Sequence, residues 1–205
     1  MKLSPQLAKK ILSLKIKTRG MDLKKMADYV LREGGKEKLR AVEGLLEKVE
    51  YPMPYEKIKD IRVYTLGERL LYVLAIKEVM GWDLNKIKEM GYFVGRSLII
   101  IKFFSHLFRL SNKFFYTVLP EIGSRYIEGA KLIPLEGEMK NKKAVFKIEG
   151  LDLRKTSDLQ EVEKIGMVYF EGFFTGWAQM ILGVEKVRCK VKKSENGYIF
   201  NITWI

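Results

Sequence analysis

His106 is the one histidine of the chain and lies in the segment Lys102-Phe-Phe-Ser-His106-Leu-Phe-Arg109-Leu-Ser-Asn-Lys113. On a helix Lys102, His106, Arg109 and Lys113 share one face, because residues three and four apart are neighbours. Such a stripe can bind a phosphate, a lipid headgroup or an acidic partner, with the imidazole altering the charge near neutral pH. It is also what the solvated face of an amphipathic helix looks like, which is the more common case. Cys189 is the one cysteine, so an internal disulfide and a cysteine-built zinc site are excluded, and a single histidine excludes a histidine-rich metal site. The alternation around Cys189 turns it inward with Val187 and Val191, as a small buried hydrophobe. Glu68, Glu78, Asp83 and Glu89 fall among helix caps and helix faces, and no nucleophile stands beside a base. Glycine-rich dinucleotide and phosphate-loop patterns are absent. The chain is therefore expected not to be an enzyme and to need no metal.

Length and charge set the outer limits. The 205 residues suit one domain, or one with a small appendage, and can bury a sizeable core. Thirty-eight Lys and Arg against 25 Asp and Glu leave a formal charge of +13, which would attract nucleic acid, anionic lipid or an acidic protein. The basic residues are spread without a run of five, and a Lys- and Glu-rich chain is also typical of thermophiles, so solvation is the favoured reading of the charge. The best candidate for a membrane span, Ser97 to Leu110, is interrupted by Lys102, His106 and Arg109. The N-terminus lacks an apolar signal core, so the expectation is a soluble, cytoplasmic protein.

These side chains need elements to hold them. Ser4 and Pro5 start a helix with Leu7, Ile11 and Leu14, and Asp22 starts a second with Leu23, Met26, Val30 and Leu31 that Gly34-Gly35 stops. A third runs from Lys36 to Val49 and ends before Pro52 and Pro54. These helices make an N-terminal subdomain, residues 1–54, read as a cap on the rest in preference to a helix-turn-helix. Thr65-Leu-Gly-Glu68 has capping-box spacing ahead of the apolar run Leu70 to Met80, which Gly81 closes. Asp83 caps another helix through Met90. Gly91 then leads into a long helix ending near Leu110, and a further one starts at Ser111 or Asn112 and is kinked at Pro120.

The last third alternates strand and helix. Two hairpins, Lys131 to Leu151 and Val184 to Trp204, flank a helix from Tyr169 to Leu182 that is apolar nearly all round. Ala144, Phe146 and Ile148 alternate with Val145, Lys147 and Glu149, while Asn196-Gly197 marks the turn of the second hairpin. A helix with no wet face must lie between a sheet and another layer or partner chain. The fold class is thus α+β: N-terminal helices, then a ββαββ antiparallel four-stranded sheet covered by helices, residues 55–205. Gly172 and Gly176, one turn apart on that helix, imply close approach by a ligand, a helix or the strands. Phe170, Phe174, Trp177 and Ile181 form a second stripe, to meet the sheet, the Phe104 and Phe108 helix, or a twofold partner.

The tail from Tyr169-Phe-Glu-Gly-Phe-Phe-Thr-Gly through Val187-Arg-Cys-Lys-Val to Asn196-Gly-Tyr-Ile-Phe-Asn-Ile-Thr-Trp204 resembles one superfamily. It groups heme nitric-oxide-binding domains, vinyl-reductase-type ligand domains and TRAPP vesicle-tethering subunits, and the chain is most similar to its bacterial members of unknown function. The resemblance covers Tyr64 to Ile205 in topology. It implies a heme, small hydrocarbon or acyl chain held between helices and sheet, and frequent dimers. The heme-binding branch has a proximal histidine on a helix ahead of the first hairpin, as His106 is, and a Tyr-x-Ser-x-Arg motif near the second strand. Here that stretch reads Val145-Phe-Lys-Ile-Glu-Gly-Leu-Asp-Leu153 and lacks the motif. An axial ligand should also point into an apolar pocket, whereas His106 sits in the basic stripe opposite Phe104, Leu107 and Phe108. The acyl-carrying cysteine of TRAPP-type relatives lies in a helical region, unlike Cys189. The expectation is a non-enzymatic sensor or scaffold, homodimeric, for a hydrophobic small molecule or acyl chain, without a resident cofactor and with heme at His106 as the minor alternative. Its pocket would use Phe104, Phe108, Phe170, Gly172, Phe174, Gly176 and Trp177. The competing class is a nucleic-acid-associated protein that uses its N-terminal helices.

Overall fold

Ser4 begins the first helix as its residue type requires: the hydroxyl accepts the Leu7 amide at 3.3 Å and Pro5 takes the first helical position of α1 (Pro5–Leu12). The computed structural model describes residues 2–19, 21–59, 62–97, 121, 127–138, 141–150 and 159–205. After α1 comes the short strand β1 (Lys17–Arg19) and the long helix α2 (Met21–Lys48). The expected stop at Gly34-Gly35 is a kink within α2, where Gly35 has φ 72° and ψ −175°. A 3-10 turn (Tyr55–Lys57) and β2 (Val63–Thr65) lead to α3 (Leu66–Met80).

The predicted capping box is formed at α3: Thr65 accepts the Glu68 amide at 3.1 Å, and the Glu68 carboxylate accepts the Thr65 amide and the Tyr51 hydroxyl. Gly81 ends α3 in the left-handed conformation. Every residue from Leu66 to Ile76 is buried, so α3 is the central rod of the helical layer. Asp83 caps α4 (Leu84–Arg96), bonding the Lys86 amide at 2.8 Å. The expected break at Gly91 does not occur. The helix runs through it, because that glycine serves a packing contact and no turn.

Further along are β3 (Ile127–Glu128), β4 (Lys131–Glu138), β5 (Lys143–Glu149), α5 (Gln160–Leu182), β6 (Val187–Ser194) and β7 (Gly197–Trp204). The apolar helix therefore starts at Gln160, nine residues ahead of the expected Tyr169. Glu161 and Glu163 in its first turn favour that start through the helix dipole. Strands β4 to β7 form an antiparallel sheet in the order β4-β5-β7-β6, the expected ββαββ unit. A second, three-stranded sheet in the order β2-β1-β3 joins segments far apart in the chain. Strands of two or three residues are too short to show alternation, which is why the sequence did not signal them.

One turn differs from expectation. Ser194 pairs with Gly197, so Glu195 and Asn196 make the hairpin loop. Gly197 is instead required within β7, where a Cβ would collide with the Ile148 carbonyl of β5. One hydrophobic core unites the layers, from Ala8 and Ile11 of α1 through Leu70 and Leu74 of α3 to Phe146, Phe200 and Trp204 of the sheet. It contains residues on both sides of position 54. Among the described residues no helix is long and apolar enough to cross a membrane.

Candidate functional site

The helix α5 carries three separate stripes, and each meets a different neighbour. On the first, Gly172 and Gly176 lie against the backbone of α4. A Cβ on Gly172 would collide with the Lys88 carbonyl, and one on Gly176 with that of Tyr92. The fit is reciprocal, because Gly91 and Gly95 of α4 lie against the Tyr169 and Phe173 carbonyls of α5. Contacts advance together, Lys88 with Gly172 and Tyr92 with Gly176, so the two helices run in the same direction. Two backbones this close leave room for hydrogen as the side chain and nothing more.

The second stripe meets the sheet. The Phe174 ring lies 5.1 Å from Phe146 and 4.6 Å from Phe200, both edge to face, and Phe146 stacks on Phe200 at 5.1 Å. Phe170 and Trp177 extend the cluster on either side, at 6.4 and 6.0 Å from Phe174.

The third stripe is polar. Glu171, Thr175 and Gln179 recur at i, i+4 and i+8 along the edge of β6. The Cys189 amide donates to Thr175 Oγ1 at 3.2 Å and the Val191 amide to Glu171 Oε1 at 3.1 Å. Gln179 donates to the Glu185 carbonyl at 2.6 Å and accepts the Tyr92 hydroxyl. Thr175 and Glu171 thus satisfy two amides that an edge strand would otherwise leave open. Reading the helix as apolar nearly all round missed this stripe, although its four-residue spacing is present in the sequence.

Charged groups are buried beside the middle of α5 and in its first turn. Asp22 of α2 pairs with Arg69 of α3, Oδ2 to Nε 2.5 Å, with both side chains almost fully enclosed. Burial pushes the Asp22 carboxyl above the usual carboxylate range, and the Arg69 guanidinium opposes that rise. The fully buried Tyr169 phenol faces this pair, and desolvation followed by the Asp22 charge pushes it well up. Glu163, in the first turn of α5, accepts the Tyr198 hydroxyl at 2.5 Å and Lys193 at 2.6 Å, tying the helix start to the β6-β7 hairpin.

The expected pocket residues thus separate. Phe170, Phe174 and Trp177 come together on the sheet side of α5, whereas Gly172 and Gly176 face α4. Phe104 and Phe108, together with the stripe Lys102, His106, Arg109 and Lys113, lie outside the described residues. Cys189 is buried as expected, and its thiol is pushed up by burial and by the Glu171 charge, which makes it unreactive.

No protein-family model and no curated protein sequence matches the chain. Solved structures do. An H-NOX protein from S. oneidensis in the Fe(II)NO ligation state is 14% identical, with a TM-score of 0.57 over 91% of this chain and 99% of that one. A mutant H-NOX domain from Shewanella oneidensis, solved by NMR in the Fe(II)CO ligation state, gives 0.59 at 15% identity over 91% and 98%. An unliganded Fe(II) H-NOX mutant from K. algicida gives 0.52 at 12% over 91% and 96%.

The fold is that of an H-NOX protein. The likeness extends beyond Tyr64 to Ile205 into the N-terminal helices, so the cap belongs to the H-NOX fold. At these identities it establishes architecture and leaves chemistry to the residues. Among the described residues no group of three or more His, Cys, Asp or Glu could hold a metal, and the one cysteine is protonated and enclosed. The described residues contain no histidine, and β5 lacks the Tyr-x-Ser-x-Arg pattern of the heme-binding branch. His106, the chain's one histidine, lies outside the described residues.

Proposed function

We propose that this protein is a non-enzymatic ligand-sensing or scaffold protein that encloses a hydrophobic small molecule or an acyl chain. The observation that carries the reading is the shared H-NOX architecture over 91% of the chain, in which α5 is covered by α4 on one side and the sheet on the other. The two described interfaces of α5 are closed by glycine contacts and by the phenylalanine cluster. A cavity between α1, α3 and α5, lined by Leu3, Leu74, Lys77, Glu78, Glu161 and Ile165, is about 20 Å³ and has room for roughly one water. Phe174 is taken up by the sheet, so the pocket of this proposal would lie at the rim of the cluster, with Phe170 and the half-buried Trp177 as one wall and, as the sequence leads us to expect, Phe104 and Phe108 as the other. The glycines set the spacing of that wall and do not touch the ligand.

A sensor needs affinity and a response. It has no need of a nucleophile. Binding to the aromatic wall would push on α5, and α5 is bonded to β6 through Thr175 and Glu171, so the outer sheet follows it. Denaturing extraction and mass spectrometry of the purified protein test the reading. A stoichiometric lipid or hydrocarbon is expected; a clean protein that also fails to bind added hydrocarbon or fatty acid overturns it. Heme reconstitution settles His106 by the presence or absence of a Soret band. Light scattering tests the proposed homodimer.

A further inference from the structure

The outer face of the four-stranded sheet divides by charge into two halves. On the β4-β5 half, both lysines of β5 are matched: Lys143 pairs with Glu136 and Lys147 with Glu149, each at 2.6 Å. On the β6-β7 half they are not. Arg188, Lys190 and Lys192 all point outward and are exposed, and their register partners on β7 are Thr203, Asn201 and Ile199, none of them charged. Among the described residues no carboxylate pairs with any of the three. Alternate residues of a strand lie about 6.7 Å apart, so the three cations form a straight row roughly 13 Å long.

Lysines on an edge strand often prevent strand addition. That role is already filled on β6, because Thr175 and Glu171 occupy the amides of Cys189 and Val191. The same block means that a partner cannot join this edge as a fifth strand and must contact the side chains of the face. A single-stranded nucleic acid would want aromatic rings for its bases, but Tyr198, Phe200 and Trp204 all point into the core. An anionic membrane would want an apolar anchor beside the cations, and the row has one apolar neighbour in register, Ile199. An acidic helix fits better. Carboxylates four residues apart on a helix advance by about 6 Å, close to the spacing of the row.

We propose that Arg188, Lys190 and Lys192 form a docking row on the outer face of β6 for an acidic helix of a partner protein. The row does not depend on which molecule occupies the interior. Because β6 is bonded to α5, the row lies on the surface that a shift of α5 would move.

Fluorescence anisotropy at low salt tests this with a labelled alanine-based helical peptide bearing glutamate at every fourth position. The wild-type chain is expected to bind it, and R188E/K190E/K192E to weaken binding by about tenfold or more. The neutral R188Q/K190Q/K192Q should fall between them, which guards against loss through misfolding; circular dichroism checks the fold of each. K36E/K38E/R40E removes the same charge from an exposed stretch of α2 and should change affinity less than about twofold. Equal loss in both reversal variants, or no binding by the wild type, overturns the row as a site. Tighter, row-dependent binding of oligothymidylate, or of phosphatidylcholine vesicles containing phosphatidylserine, overturns the choice of an acidic helix.

Discussion

On its α4 side, α5 presents Gly172 and Gly176 to a neighbouring backbone, and on its sheet side it presents Phe170 and Phe174 to a bed of phenylalanines. The first contact derives its closeness from the absence of side chains and can only be overfilled. The second derives its stability from ring burial and can only be emptied. One helix thus holds two layers at different distances, with the H-NOX architecture on both sides of it. The difference teaches that one helix can be held in two opposite ways: the glycine side yields no space without driving α4 away, while the aromatic side has volume to lose.

The sharpest way to break this contrast is to empty the aromatic side. Phe174→Ala should cost about 3–5 kcal/mol in urea unfolding, through lost burial and a cavity among Phe146, Phe200 and Trp177; a loss below ~1 kcal/mol would mean that the cluster is loose. Filling the other side comes next. Gly172→Ala should destabilise by about 1–3 kcal/mol even though alanine favours a helix by ~1 kcal/mol, because the methyl meets the Lys88 carbonyl. Stabilisation by that substitution would show that α4 and α5 can separate freely.

The polar stripe sets a smaller effect. Thr175→Val removes the acceptor of the Cys189 amide and should cost about 1 kcal/mol, with Thr175→Ser retaining most of it. Faster hydrogen exchange at Cys189 in the valine variant, and not in the serine one, would assign the loss to the edge bond. The smallest change is a control of opposite sign. Gly44 lies within α2 with nothing within 4 Å of a built Cβ, so Gly44→Ala should stabilise by about 0.5–1 kcal/mol. If Gly44 and Gly172 respond alike, close packing is not what separates them.

Much of this arrangement was legible in the residues. Ser4, Thr65 with Glu68, and Asp83 cap the helices they were expected to cap, since capping depends on a few neighbouring atoms. Alternation in Ala144 to Glu149 and Val187 to Lys192 placed the core face of the sheet correctly, because strand side chains can only alternate. The short sheet of β1, β2 and β3 was not legible: its strands pair across tens of residues and carry no period. Gly91 was misread as a boundary for a related reason. A glycine that stops a helix and one that receives a neighbouring backbone are the same residue, although the matching spacing of Gly91 with Gly95 and Gly172 with Gly176 was available as a clue.

For the candidate site, the sequence could nominate Phe170, Phe174, Trp177, Gly172 and Gly176 but could not sort them, because a helix apolar on two sides gives no sign of which neighbour takes which side. By itself it determined the local terms: the caps, the strand faces, the exclusion of an internal disulfide and of a histidine-rich metal site by one cysteine and one histidine, and the need for α5 to be covered twice. Tertiary structure alone decided that α4 supplies one cover and the sheet the other, that Thr175 and Glu171 seal β6, and that Arg188, Lys190 and Lys192 are left facing water. Those outcomes depend on distances between segments remote in the chain, which short-range periodicity does not encode.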